Sequence, residues 1–508
     1  MIPLRIPRSI LPASLLILSG AIAAPALASP DLAAPAVPAA SLIASSPAPA
    51  SLPASAEVVG SWEGALAVTA DMQMRIVFQI TEAPDGSLQA TMDSPDQAAR
   101  GIPVASITYG HGHLVMEVTA VGGRYEGYLE APDRLEGNWM QGGASFPLAL
   151  SRVEEVSTPQ RPQHPEPPFP YRSEDVIYPN PEAGIRLAGT LTLPEGPGPF
   201  PAVTLVTGSG AQDRNSEIFG HRIFLVLADH LTRSGIAVLR SDDRGVGESE
   251  GDFRAATSAD FATDTRAAVD YLLTRPEVDP SAIGIVGMSE GGLIAPMVAA
   301  GMEEVAFLVL LAGPGVAGEE ILFRQGELIA RSMGASPEDV ERSRTLQSRL
   351  FTILREEEDP AVRSRRVEAE LRGAVEEMSD AEREAGGIPQ AGEEGWIRAQ
   401  LAPLEGPWFR YFLLHDPAPV LRRVQVPVLA LNGSLDLQVD PAQNLPAIEA
   451  ALREGGAPDF TVEELPGLNH LFQTADTGAP SEYGQIEETF SPLALERMSH
   501  WILDRFGG

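Results

Sequence analysis

Three side chains in the second half of the sequence could carry one piece of chemistry together: Ser289, Asp436 and His470. Ser289 is the centre of Gly287-Met288-Ser289-Glu290-Gly291, directly after the apolar run Ala282-Ile283-Gly284-Ile285-Val286. The pattern is that of a buried strand breaking sharply into a helix at a serine. Glycines stand on either side because a side chain there would collide with strand or helix. A hydroxyl held on such an elbow becomes a nucleophile once a base takes its proton. The base in turn needs an anion to fix its tautomer and stabilise its charged form.

In elbows of this kind the acid and then the histidine follow the serine along the chain. Of the histidines downstream, His415 precedes Asp416-Pro417, and His500 falls inside a final amphipathic helix. His470 ends Pro466-Gly467-Leu468-Asn469-His470, a loop after the strand 460–465, and is the base of choice. Asp436 follows the strand and turn Val428-Leu429-Ala430-Leu431-Asn432-Gly433-Ser434-Leu435 and is preferred as the acid, with Asp440 as runner-up. The alternative for Asp436 is a turn or helix-capping carboxylate. A tetrahedral oxyanion would need two backbone N–H donors: Glu290, at the start of the elbow helix, and Ser209, in Gly208-Ser209-Gly210 after an earlier strand. That glycine-rich turn reads less well as a phosphate cradle, since the chain lacks G-x-x-x-x-G-K-[ST].

The elements that must position these residues alternate between strand and helix from Tyr171 onward, which is the mark of an α/β sheet. Strands are expected at 202–206, 236–239, 282–286, 305–311, 426–431 and 460–465, with helices over 221–233 and 261–273. Between about 313 and 410 no strand signal occurs. Charged helices fill the interval, with an N-cap at Ser336-Pro337-Glu338-Asp339 and a capping box from Ser379 to Glu382. Their place between the nucleophile and the acid predicts a helical cap over the site. Trp408, Phe409, Tyr411 and Phe412 cluster where the cap returns; they either line an acyl pocket or anchor the cap. Asp213 and Arg214, beside the Gly208–Gly210 turn, either hold the loop or touch substrate.

Upstream, Arg5 and Arg8 precede an apolar stretch that ends in Ala26-Leu27-Ala28, the layout of a cleavable signal peptide over 1–28. Residues 29–56 are almost wholly Ala, Pro and Ser, a composition expected to form a disordered tether. From 57 to 153 short alternating runs such as Met74-Arg75-Ile76-Val77-Phe78-Gln79-Ile80 predict a small antiparallel barrel or sandwich of seven to nine strands. His111 and His113 there read as turn residues rather than metal ligands, with no third ligand near in sequence. A proline-rich stretch over 154–170 reads as a stiff linker.

Composition closes several doors. There is no cysteine, and all 36 basic residues are arginine. Thiol nucleophiles, disulfides, Ser-Lys dyads, Schiff bases and P-loop lysines are excluded together, so a nucleophilic serine must use a histidine. A formal net charge of −34 argues against nucleic acid or anionic membrane as partner. No segment after the leader is long and apolar enough to span a bilayer stably.

The set Thr207-Gly208-Ser209-Gly210-Ala211-Gln212-Asp213-Arg214, Asp242-Asp243-Arg244-Gly245-Val246-Gly247-Glu248-Ser249, Gly287–Gly291, Leu431–Asp436 and Gly467–His470 resembles the bacterial serine esterases of the EstD type. These belong to the α/β-hydrolase superfamily, near the serine aminopeptidases and dienelactone hydrolases. The resemblance runs over 171–508. It implies an α/β-hydrolase fold with a helical cap, ester hydrolysis through an acyl-enzyme, and no cofactor or metal. Thr207 stands where many such enzymes carry the histidine of an H-G motif. The expectation is therefore an exported carboxylesterase, periplasmic or secreted, acting on a small-molecule ester with a small or medium acyl group. A peptidase or amidase of the aminopeptidase type is the nearest alternative. A second is an envelope-binding protein whose β domain grips a polymer and whose hydrolase domain is inert; otherwise the β domain packs on the catalytic domain.

Overall fold

The computed structural model describes residues 57–507 apart from 68–72, 96–98, 142–143, 155–159, 380–381, 384–387 and 389–392. The leader expected over 1–28 and the tether over 29–56 lie outside the described residues. The chain divides into two compact units near residue 158.

The first unit is one antiparallel sheet of nine strands: β1 (Gly60–Ala67), β2 (Gln73–Glu82), β3 (Leu88–Ser94), β4 (Ala99–Pro103), β5 (Ser106–Gly110), β6 (His113–Val118), β7 (Gly123–Ala131), β8 (Arg134–Gln141) and β9 (Ala144–Val153). Their order is β4-β3-β2-β1-β9-β8-β7-β6-β5. The expected small antiparallel domain of seven to nine strands is present, as one nine-stranded sheet. β4 and β5 occupy its two ends, yet only Val104 and Ala105 separate them in the chain, so the sheet must curl into a half-barrel to bring its ends together. Inside the curl, Ile76, Phe78 and Ile80 of β2 pack with Trp62, Tyr125, Trp139 and Leu148. Val77, on the opposite parity, is buried as well. His111 sits in the β5–β6 turn with φ of 52°. The His113 ring meets Glu126 Oε1 at 3.0 Å and stacks on Tyr128.

The second unit is a sheet of eight strands in the order β10-β11-β15-β12-β16-β17-β18-β19. β10 (Arg172–Asn180) and β11 (Ile185–Leu193) are antiparallel, and β15 (Ala237–Ser241) meets β11 antiparallel too. From β15 onward β12 (Phe200–Val206), β16 (Val278–Met288), β17 (Phe307–Leu311), β18 (Val428–Gly433) and β19 (Phe460–Leu465) run parallel. A two-residue pair, β13 (Glu217–Ile218) with β14 (His221–Arg222), stands apart from the sheet.

These parallel strands read as unbroken apolar runs because both faces are covered. Toward one face Ile283, Ile285, Leu308, Leu310 and Ala430 pack with α2 (Ser258–Leu273) and α3 (Glu290–Ala299). Toward the other, Val286, Val309, Leu311 and Leu431 pack with α1 (Ile223–Arg233) and the C-terminal helix (Pro492–Phe506). This three-layer arrangement is the α/β-hydrolase fold.

Between β17 and β18 lie α4 (Gly318–Ser332), α5 (Pro337–Glu356), α6 (Pro360–Glu376), α7 (Glu393–Glu405) and α8 (Pro407–Leu414). They form the cap, which extends to Leu414 rather than 410. The short α9 (Ala418–Leu421) leads back to the sheet, and α10 (Pro441–Gly455) and α11 (Pro492–Phe506) complete the unit. At the head of α5, Ser336 and Asp339 make the reciprocal bonds of a capping box. The cap has its own apolar core around Leu350, Phe351, Leu371 and Phe409, joined by Leu293 of α3.

Residues from 160 onward, expected as part of a stiff linker, are held to the second unit by side-chain bonds. The Arg161 guanidinium donates to the carbonyls of Phe219, Gly484 and Ile486. The Gln163 side-chain oxygen accepts from the Thr489 and Phe490 amides, and its nitrogen donates to the Phe490 carbonyl. Proline content sets the stiffness of such a stretch, and these polar contacts set where it lies.

Candidate active site

The turn at the end of β16 holds Ser289 at φ 53° and ψ −117°, a conformation side chains other than glycine rarely adopt. Its neighbours show why the sequence must be Gly-x-Ser-x-Gly. A Cβ on Gly287 would sit 2.0 Å from the Gly291 carbonyl oxygen, and one on Gly291 would sit 2.2 Å from the Val206 carbonyl oxygen. Strand, elbow and helix are in backbone contact. The Ser289 amide donates to the Leu311 carbonyl at 2.8 Å, which fixes the elbow to the neighbouring strand.

His470 arrives from the loop after β19 and Asp436 from the loop after β18. The two loops interlock: the Leu435 amide donates to the Leu468 carbonyl, and Gly433 lies so close that a Cβ there would be 2.2 Å from the same oxygen. Asn469 stiffens the histidine loop, its side-chain oxygen accepting from the amides of Leu471 and Gln473. His470 Nδ1 lies 2.8 Å from Asp436 Oδ2, and His470 Nε2 lies 3.2 Å from Ser289 Oγ. Asp436 Oδ1 accepts from the amides of Gln438 and Val439 at 2.8 and 2.9 Å. The carboxylate can only accept, so the imidazole proton sits on Nδ1 and Nε2 is left to receive the serine proton.

Asp440, the runner-up acid, is occupied elsewhere. It caps α10 by accepting from the Ala442 amide, and its other oxygen accepts from Arg324 of the cap at 2.6 Å. His500 is exposed on α11, and His415 stacks on Tyr411 at the end of the cap.

The candidate oxyanion donors belong to the two segments next to Ser289. Glu290 is the first residue of α3, and the turn of Gly208 and Ser209 follows β12. A Cβ on Gly208 would be 3.3 Å from Ser289 Cβ, so the turn lies directly against the nucleophile and a side chain there would crowd it. Thr207, in place of the more common histidine, donates its hydroxyl to Asp243 at 2.8 Å. Asp213 accepts from the amides of Asn215 and Glu217, while Arg214 forks onto Asp242. Both therefore hold the loop.

The aromatic cluster separates into two roles. Phe409 and Phe412 are buried in the cap's own core. Tyr411 lies against His415. Trp408 stacks on Phe412 and donates its indole N–H to Glu290 Oε1 at 2.7 Å.

The Glu290 side chain was missed by sequence reasoning, which used only its amide. It is 3% exposed, and the same oxygen also accepts from Ser258 at 2.6 Å. Burial pushes its pKa up to about 7, partly offset by those two bonds. An acid one residue past the nucleophile, at a helix N-terminus, was the available signal.

The folded state thus holds the Glu290 proton more tightly than the unfolded chain does. The cost of ionising it is absent below the ordinary value of 4.5, grows as pH rises towards about 7, and is constant above. Glu290→Gln keeps the acceptor and removes the charge. It should therefore gain about 3 kcal/mol over wild type at pH 8 and nothing at pH 4. Thermal unfolding at several pH values reads this directly, and a gain independent of pH would show that Glu290 does not titrate in this range.

Comparison with known proteins places these features in context. The X-Pro dipeptidyl-peptidase family (S15) matches residues 183–455, just over half of the chain. The match takes in Ser289 and Asp436 and ends before His470. The esterase EstD of Thermotoga maritima is similar at 26% identity over 322 residues, covering 62% of this chain and 65% of its own length. The thiohydrolase aneE of Aspergillus aculeatus is 35% identical over 113 residues, 22% of this chain and 33% of that protein. The chain thus spans less than two thirds of the length of these relatives. Among solved structures, an esterase of Pyrococcus furiosus, Pf2001, aligns at 15% identity with a TM-score of 0.39, covering 70% of this chain and 98% of that one.

Proposed function

Since the chain belongs to the X-Pro dipeptidyl-peptidase (S15) family, we propose that it is a serine hydrolase cleaving carboxylic esters of small or medium acyl groups. One observation carries the reading: a serine on a strained elbow, 3.2 Å from an imidazole whose other nitrogen is held by a buried carboxylate. In this reading His470 Nε2 takes the proton as Ser289 Oγ attacks the ester carbonyl. The oxyanion forms under the Gly208–Ser209 turn and the start of α3. His470 then returns the proton to the leaving alcohol. Water attacks the acyl-Ser289 by the same route in reverse and releases the acid. The similarity to EstD supports an ester over an amide. Export to periplasm or medium is part of the same reading and rests on the leader-like residues 1–28.

The family name itself favours a second reading, hydrolysis of an amide bond in X-Pro peptides. A p-nitrophenyl ester series of increasing acyl length and Ala-Pro-p-nitroanilide, assayed on one preparation, separate the two. Esters should be turned over with a maximum at short or medium chains, and a fluorophosphonate probe should label Ser289 in a peptide map. Turnover of the anilide alone would establish the peptidase reading instead. Labelling at any residue other than Ser289 would remove the site assignment altogether.

A further inference from the structure

The paired aspartates of Asp242-Asp243-Arg244-Gly245 have different fates. Asp242 takes the Arg214 fork at 2.6 and 3.0 Å, and Arg244 pairs with Asp264 at 2.7 Å. Among the described residues, Asp243, between two ion-paired residues, meets only neutral donors. Its Oδ1 accepts from the Thr207 hydroxyl at 2.8 Å and its Oδ2 from the Gln212 amide at 2.9 Å, while its own amide donates to the Gln212 carbonyl at 3.1 Å. Thr207 and Gln212 bracket the four residues Gly208 to Ala211, the turn that crosses Ser289. One carboxyl therefore grips both ends of that turn.

Such a turn needs an outside clamp. Gly208 and Gly210 give it wide conformational freedom, and Gly210 has φ of 94°. A catalytic N–H has to be held within about half an ångström of its productive place. Thr207, Gly208, Asp243 and Glu290 also share the wall of one cavity of about 50 Å³.

We propose that Asp243 is a positioning residue that sets the oxyanion turn by clamping Thr207 and Gln212. The proposal rests on the esterase reading given above and deepens it. A neutral carboxyl can hold both ends, accepting from the Gln212 amide with one oxygen and sharing a hydrogen with the Thr207 hydroxyl at the other, with no need of a counter-charge, which fits the absence of a cation among its bonding partners in the described residues. The protein around Asp243 raises its pKa to about 8 although the residue keeps partial exposure, and the nearby Glu290 charge adds to the shift. A neutral acid and a carboxamide are then close equivalents at this position. Asparagine can accept from the Gln212 amide with its oxygen and donate to the Thr207 hydroxyl oxygen with its nitrogen.

Three variants of the full chain test this: Asp243→Ala, Asp243→Asn and Thr207→Val. Each is first counted for active sites by fluorophosphonate titration, and its melting temperature is recorded. Asp243→Ala should lose about 10- to 50-fold in kcat with KM within twofold, below the loss expected for deleting an oxyanion donor outright. Its affinity for an aryl boronic acid, which forms a tetrahedral adduct on the serine, should fall in proportion to kcat/KM. Asp243→Asn should stay within about threefold of wild type, and Thr207→Val should fall between the two.

The proposal is overturned if Asp243→Asn is as impaired as Asp243→Ala, or if boronate affinity is unchanged where kcat has fallen. It is also overturned if Thr207→Val, the variant least able to disturb folding, matches wild type in both kcat and boronate affinity. A wild-type protein that neither turns over esters nor labels at Ser289 would instead refute the underlying reading, before any variant is made.

Discussion

Asp436→Asn should lower kcat on a p-nitrophenyl ester by ~10⁴-fold, with KM and melting temperature little changed. The bonds of Asp436 dictate how the asparagine must sit. Oδ1 receives two backbone amides, from Gln438 and Val439, so the carboxamide oxygen has to take that place and the NH₂ group has to face His470. The NH₂ can only donate, which forces Nδ1 to be the acceptor and moves the imidazole proton to Nε2. A protonated Nε2 cannot take the proton of Ser289. The geometry survives while the tautomer is wrong. Asp440→Asn makes the contrast, since Asp440 serves Ala442 and Arg324 and should affect the seating of the cap rather than the proton transfer. Steady-state kinetics of both variants decide the matter. A loss below about tenfold for Asp436→Asn would mean that another group orients His470.

Gly291→Ala is the second large effect. Its Cβ would fall 2.2 Å from the Val206 carbonyl oxygen, 2.8 Å from the Val206 carbonyl carbon and 2.9 Å from the Thr207 carbonyl oxygen, all of them backbone. No rotamer change can relieve that contact, so the end of β12 must move away from α3. Overpacking of this kind costs about 1–3 kcal/mol, which for a unit of this size lowers the melting temperature by about 1–4 °C. The activity loss should be larger than stability alone explains. The displaced segment leads straight into the turn over Ser289, and a shift of about 1 Å in a catalytic group costs ~10²-fold in rate. Gly373→Ala is the control: it lies in α6, where a Cβ meets nothing within 4 Å, and it should leave kcat unchanged. Equal activity of Gly291→Ala and wild type at 25 °C would show that the backbone gives way without disturbing the turn.

The parts of this molecule that could be read from the sequence are those where a local steric rule has one solution. The Ser289 elbow is one, because the crowding at Gly287 and Gly291 leaves no other residue. The parallel strands are another, since a run such as Phe307–Leu311 buried on both faces has no polar face to show. Chain order then singled out His470 and Asp436, and the structure brings those two to Ser289.

What stayed hidden depends on partners far apart in sequence. Trp408 and Glu290 are 118 residues apart and Gln163 and Phe490 are 327 apart, and composition says nothing of either pairing. The period-two pattern of the first unit tells which face of a strand is buried. It does not tell whether the sheet closes, because that depends on which strands meet at the ends. The sequence leaves open whether Phe409 and Phe412 anchor the cap or line a pocket, because apolar burial in a cap core and in a ligand site use the same side chains.

The half-barrel of the first unit has a further meaning for how such a chain can be assembled. Its ladder is unbroken between β1 and β9, where Ser61 pairs with Val153, so the chain enters and leaves on neighbouring strands. The gap in the ladder falls instead between β4 and β5, where the chain is continuous. A segment whose two ends touch can be inserted into a host, or cut out of it, with a small loop-closure penalty and no rethreading. In modular terms, residues 57–153 are a cassette: its two ends meet on neighbouring strands, and among the described residues the α/β sheet that follows supplies none of its strands.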